Sequence, residues 1–180
     1  QIGLFTSPHI LKFNERIQVN NQMISNSDLT RITAFVAKRW HYWERIKGGM
    51  IPLTFFEMTL LIAIRYFIEK KVSWAVIEVG LGGRIDPTNA LAKYIYSTKK
   101  YRLLSCITSI SFDHMDILGK SLKKIMIEKL GIAKPNIPLL SGVSQKHLLK
   151  VIHDYSKQNK IPIIQAGKDF QIINHEDDRF

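Results

Sequence analysis

Apolar residues recur along this chain with two periods. Leu29, Ile32, Val36, Trp43 and Ile46 fall at helical spacing behind Ser27 or Asn26 as the cap, which predicts a helix to about residue 46. Thr54-Phe55-Phe56-Glu57 is a capping box, in which the hydroxyl and the carboxylate each satisfy a free backbone N–H. The helix it opens carries Met58, Leu61, Ile64 and Ile68 along one stripe. Trp74-Ala75-Val76-Ile77-Glu78-Val79 is apolar on both faces until its end, as in a central parallel strand, and residues 103–110 form a second such run. The pattern then predicts a helix over 121–130, a strand over 137–140, a helix over 144–158 and a strand over 161–164. Alternating strands and helices imply an α/β fold: a mostly parallel sheet with helices on both faces and right-handed crossovers. No repeat, low-complexity tract or linker interrupts it, so residues 1–180 are expected to form one domain.

Composition excludes several classes. With 46% hydrophobic and 23% charged residues the chain is neither disordered nor collagen-like. Its longest nearly apolar stretch, 55–64, is interrupted by Glu57 and closed by Arg65, too short to span a bilayer, and no signal-peptide pattern opens the chain. A single cysteine, Cys106, makes no internal disulfide, so a reducing, cytoplasmic setting without membrane contact is expected. The net charge of +11 attracts phosphates, polycarboxylates or nucleic acid without choosing among them. Residues 94–102 interleave aromatics with cations in a manner suited to single-stranded nucleic acid, but one short run without a nucleic-acid fold signature reads as a surface loop. A chain that opens on Gln1 and stops just past a charged run is expected to be a piece of a longer protein.

In an α/β sheet, ligands bind beyond the carboxyl ends of the strands, and two polar clusters are placed there. The first runs from Glu78 through Gly80, Gly82, Gly83, Arg84 and Asp86 to Asn89. A carboxylate at the end of a buried strand is costly unless paired, and either a bound cation or Arg84 would pair it. The glycines permit a tight turn and close approach of a phosphate or metal, although the pattern is neither a P-loop nor G-x-G-x-x-G. The second cluster is Thr108 to His114, where a neutral imidazole would ligate a metal or move a proton. The helical stripe Leu122, Ile125, Met126 continues onto Lys129. An inward lysine amine loses its charge and becomes nucleophilic, pairs with a carboxylate, or takes up carbon dioxide as a carbamate; the bland alternative is a stem that snorkels to solvent. Ser7, beside Pro8, either ligates magnesium or caps a turn.

Five segments occur in one order: TSPHI…NERI at 6–17, TFFE at 54–57, EVGLGGRIDPTN at 78–89, ITSISFDHMDILG at 107–119 and EKLGIAKP at 128–135. This order closely resembles folylpolyglutamate synthase, or the bifunctional dihydrofolate synthase, of the Mur ligase superfamily, over nearly the whole chain. The resemblance implies the central, P-loop-type domain and ATP-dependent attachment of L-glutamate to a folate through an acyl phosphate. By matching motifs, Ser7 and Glu78 are magnesium ligands, while His114 and Lys129 hold a second magnesium, the lysine as a carbamate, and act in catalysis. Ser7, Glu78 and Asn89 face the nucleotide and its metal, and Phe56, Arg84 and Asp86 the folate. The implied partners are ATP, folate and L-glutamate, with no nucleic acid, acting on a monomer.

Departures from the family also set expectations. The family's P-loop segment, ahead of TSPH, and its smaller C-terminal glutamate-ligase domain are absent from these residues, so the 180 residues alone are expected to be an incomplete central domain without turnover. Pro87 stands where many members carry alanine, and the stretch between Asn89 and Thr108 is longer than in compact bacterial members. The competing readings are dihydrofolate synthesis from dihydropteroate, a ligase of cell-wall precursors and a non-catalytic binding module.

Overall fold

A computed structural model describes residues 1–49, 52–98 and 102–171. They gather into two compact units, Gln1–Gly80 and Leu81–Phe180, each with its own hydrophobic core.

The first unit is built on a four-stranded sheet. Strands β1 (Ile2–Phe5), β2 (Ile17–Val19) and β3 (Gln22–Met23) run antiparallel to their sequence neighbours. The β2–β3 hairpin was not expected from apolar patterning. Its turn is Asn20-Asn21, both at positive φ, the conformation that a tight hairpin demands and that asparagine tolerates.

Two helices follow. Helix α1 spans Asn26–Lys47, and its cap is Ser25, whose hydroxyl accepts from the Asp28 N–H, rather than Asn26 or Ser27. Asn26 instead accepts from the Asn14 amide through its own side chain. Only Ile32 and Val36 of the expected stripe are fully buried; Trp43 and Ile46 are exposed near the C-terminal end, which closes on Gly48 at φ 76°.

Helix α2 (Phe55–Glu69) opens on the expected capping box; Thr59, Leu60, Ile62, Ala63, Tyr66 and Phe67 are its most buried residues, while Met58, Leu61 and Ile64 of the expected stripe are partly buried at the edge of the same core and Ile68 is exposed. In a helix apolar nearly all round, periodicity does not select the buried side. Packing does, because the Phe67 ring lies where a Cβ on Gly3 would stand, at 2.9 Å. Strand β4 (Trp74–Ile77) then pairs parallel with β1, completing the order β3-β2-β1-β4. It is a parallel strand as expected but an edge strand among the described residues, with Trp74 and Val76 exposed.

The capping box is measurable. Thr54 Oγ1 accepts from the Glu57 N–H, and the Glu57 carboxylate accepts from the Thr54 backbone N–H at 2.8 Å and hydroxyl at 2.7 Å. Those bonds, the hydroxyl first, hold the Glu57 carboxyl below its ordinary pKa. The stabilisation is therefore complete above the unfolded-state carboxylate pKa and lost as pH falls through the lower folded value. Thr54→Ala is expected to cost about 1 kcal/mol at neutral pH, seen as a lower urea midpoint, with a smaller cost in acid.

The second unit carries helix α3 (Pro87–Thr98), then β5 (Ser105–Ile107), the short α4 (Met115–Leu118), α5 (Leu122–Leu130), β6 (Leu139–Ser141), α6 (Lys146–Asn159) and β7 (Ile163–Gln165). Its three strands are parallel in the order β5-β6-β7. The expected alternation after residue 103 is present with boundaries shifted by a few residues. Ile107, Ile125, Met126, Leu130, Leu139, Leu148 and Ile152 lie at its core. Thus the α/β architecture with parallel strand pairs is present, with the strands grouped in two sheets, one in each unit. Residues 94–98 end α3 instead of forming a loop, and residues 99–101 of the same run lie outside the described residues.

Candidate functional site

In the first unit, Phe5 and Ile77 are register partners at the ends of parallel neighbours β1 and β4. Glu78 follows Ile77 directly and Ser7 follows Phe5 after Thr6, so both emerge beyond neighbouring carboxyl ends, where α/β sheets bind ligands. The Ser7 backbone N–H donates to Glu78 Oε2 at 2.7 Å, and the Glu78 N–H donates to the Phe5 carbonyl. Glu78 is exposed, not buried, so the desolvation argument from its strand does not hold. Its side chain reaches Ser7, and Arg84 makes an ion pair with Glu128 (Nε–Oε1 3.0 Å).

Phe56, half-buried, stands edge-on to Phe5 at 5.5 Å and presses on Gly80, where a Cβ would lie 2.8 Å from its ring. Nearby in sequence, the Ser7–Arg16 loop wraps around Glu15. The Glu15 carboxylate accepts backbone N–H bonds from Ile10, Leu11 and Lys12 at 2.6–2.9 Å, which hold it below the ordinary carboxylate pKa. Arg16 is buried, donates to His9 Nδ1 and lies over the Phe55 ring.

The second unit holds the remaining predicted residues. Asp86 is buried, and its carboxylate accepts from the Leu81 N–H, the Thr88 N–H and the Thr88 hydroxyl, closing the glycine loop and capping α3. Pro87 is the first residue of α3, where its missing N–H costs nothing. Asn89 is 3% exposed: its amide donates to the Arg84 and Gly131 carbonyls and its oxygen accepts from Lys134 Nζ at 2.6 Å. Gly83, at φ 159°, lets the loop lie against the Glu128 and Lys129 carbonyls, 2.9 and 2.8 Å from where its Cβ would be. His114 is exposed at φ 47°, with its Nε2 3.6 Å from Asp113. Lys129 is half-buried on α5, because the inward stripe Ile125, Met126 passes to Leu130 instead. Among the described residues the fully buried lysine is Lys134, 6% exposed, and burial pushes its amine pKa down.

No protein-family model matches the chain. Among curated proteins it is 37% identical over 176 residues to the dihydrofolate synthase/folylpolyglutamate synthase of Bacillus subtilis (strain 168), covering 97% of this chain and 38% of that protein. Among solved structures it matches a folylpolyglutamate synthase–AMPPCP complex with TM-score 0.84 and 29% identity, over 96% of this chain and 40% of that one. A bifunctional folylpolyglutamate synthase/dihydrofolate synthase with Mn, AMPPNP and L-glutamate bound matches with TM-score 0.77 and 27% identity, over 96% and 38%. The chain is a homologue of the folylpolyglutamate and dihydrofolate synthases. It spans less than half the length of these relatives.

For this folylpolyglutamate synthase homologue, the donor chemistry of the predicted metal ligands divides along the two units. Ser7 carries a hydroxyl and Glu78 a carboxylate on residues whose backbones meet, and such hard oxygens are the donors magnesium takes when phosphates and waters complete its shell. His114 offers nitrogen, and Lys129 offers oxygen only as a carbamate. Among the described residues no three His, Cys, Asp or Glu side chains cluster as a closed metal cage, and no helix is long and apolar enough to cross a membrane.

Sequence reasoning missed Glu15, Arg16 and Lys134. Glu15 and Arg16 lie inside the NERI segment that carried the resemblance, but their roles depend on the loop folding back on them. Lys134 follows Ile132-Ala133 in an apolar context that itself signals burial.

Proposed function

We propose that the complete protein ligates L-glutamate to a tetrahydrofolate, and that residues 1–180 are part of its central ATP-binding domain. The observation that carries this reading is the backbone contact that brings Ser7, which bears a hydroxyl, next to the Glu78 carboxylate at the ends of β1 and β4. Support also comes from relatives solved with nucleotide analogues, manganese and glutamate. ATP's γ-phosphoryl group passes to a folate carboxylate oxygen as ADP leaves. The glutamate amine then attacks the acyl carbon, phosphate departs and the amine loses its proton. Ser7 and Glu78 would hold a magnesium ion, which would supply charge neutralisation on the phosphates. Lys129, as a carbamate, and His114 would hold a second magnesium. Motif matching assigns folate contacts to Phe56 in the first unit and, separately, to Arg84 in the second, and Asp86 acts by holding the glycine loop in shape. The protein acts as a cytoplasmic monomer on small molecules, without nucleic acid.

A second reading, dihydrofolate synthesis from dihydropteroate, is supported by the double name of the Bacillus relative. One assay addresses both. With the full-length protein, ADP release is expected only when ATP, magnesium, a folate and L-glutamate are all present, and the product gains one glutamyl residue. Turnover with dihydropteroate in place of folate adds the second activity. ADP release that ignores folate and glutamate, or no release at all, refutes the ligase reading.

A further inference from the structure

The buried amine of Lys134 closes a circuit around the predicted catalytic lysine. Helix α5 ends at Leu130; the Glu128, Lys129 and Leu130 carbonyls accept from the Gly131, Ile132 and Ala133 N–H groups, which leaves the carbonyls of residues 131–133, in the turn just past the helix, to be paired. Lys134 turns back onto this end. Its Nζ donates to the Ile132 carbonyl at 2.7 Å, with the Ala133 and Gly131 carbonyls at 3.4 and 3.5 Å, a favourable site for a cation. The same amine donates to Asn89 Oδ1 at 2.6 Å, and the Asn89 amide reaches the Arg84 carbonyl at 2.8 Å. On the opposite side, the Arg84 N–H donates to the Glu128 carbonyl at 2.9 Å. Gly131 permits this contact, since a Cβ there would stand 2.4 Å from Arg84 Cα. Lys129 lies between these two anchors, Glu128 before it and Gly131 after it.

We propose that Lys134, acting through Asn89, is a positioning residue that locks the glycine loop to the end of α5 and so sets where Lys129 stands. The proposal rests on the ligase reading for its consequence, but the lock is a feature of the chain itself. Asn89, expected from motif matching to face the nucleotide, is the link in this lock: its amide and its carbonyl oxygen are both engaged by protein groups.

The test uses Lys134→Met in the full-length protein, with Lys134→Arg as the conservative partner and two readouts. Amide hydrogen exchange is expected to quicken at Arg84, Asn89 and residues 129–133 but not in β6 or β7. Turnover at saturating substrates is expected to fall by about tenfold or more with little change in the KM for ATP, as for loss of a residue that orients a ligand, and Lys134→Arg to recover part of it. If the Met variant does not fold, Lys134→Gln, which keeps an N–H donor, takes its place with a smaller expected effect. Faster exchange with unchanged turnover overturns the positioning role and leaves a structural one. Unchanged exchange overturns the lock outright. A wild-type protein without ligase activity refutes the functional reading instead, and the exchange experiment still decides the lock.

Discussion

Lys129→Ala in the full-length protein is expected to lower turnover by about a thousandfold, the several kcal/mol that a metal-held charge contributes to phosphoryl-transfer transition states. The side chain is half-buried on α5 with the glycine loop against its backbone, so truncation removes little packing and the fold should survive. A carbamate forms when the neutral amine attacks carbon dioxide and releases a proton, and it presents two oxygens in place of nitrogen. A short carboxylate such as acetate or propionate can supply equivalent oxygens in the space left by alanine, so partial rescue by these acids, and not by short amines, is expected. Near-normal turnover in the mutant would sink the carbamate role. Rescue by amines would assign the lysine to proton transfer instead.

Glu78→Gln should raise the magnesium concentration needed for half-maximal activity, and at limiting magnesium activity should drop by about a hundredfold, some 3 kcal/mol. Glutamine keeps an oxygen that accepts the Ser7 N–H, now 2.7 Å from Glu78 Oε2, and the position is exposed. Stability should therefore change by no more than about 0.5 kcal/mol. High magnesium should recover part of the activity. A magnesium titration and a urea melt on the same protein separate the two effects. An unmoved magnesium dependence with a lowered urea midpoint would make Glu78 a structural clamp on the Ser7 loop and remove it from the metal site.

Both experiments address residues that short motifs marked, and the rest of the fold shows how far such marks reach. The capping box at Thr54 was legible because all of its partners lie within four residues. So was the strand–helix alternation after residue 103, where periodicity changes and turn residues coincide. The β2–β3 hairpin was missed although Asn20-Asn21 carries its turn, because its strands are too short to show an alternating pattern. For α2 the local pattern named a stripe that only flanks the fully buried face: Met58, Leu61 and Ile64 pack partly against the core and Ile68 is exposed, since an apolar helix offers several stripes and contact with Gly3 and its sheet selects the innermost.

The candidate site divides in the same way. Sequence alone determined the family resemblance, the α/β architecture and the residue types able to hold magnesium, because these depend on local order and chemical identity. It also placed Ser7 in a loop, beside a Pro8 that breaks regular pairing, and Glu78 near the end of a strand. That the two side by side join through a hydrogen bond follows from the parallel pairing of β1 with β4, two strands some seventy residues apart. Tertiary structure likewise decided that Arg84 pairs with Glu128, that Asp86 shapes its own loop and that Lys134, not Lys129, is the buried lysine. Desolvation and hydrogen-bond partnership are properties of surroundings, and for these residues the surroundings come from segments up to about fifty positions away in the chain, beyond the reach of any local pattern.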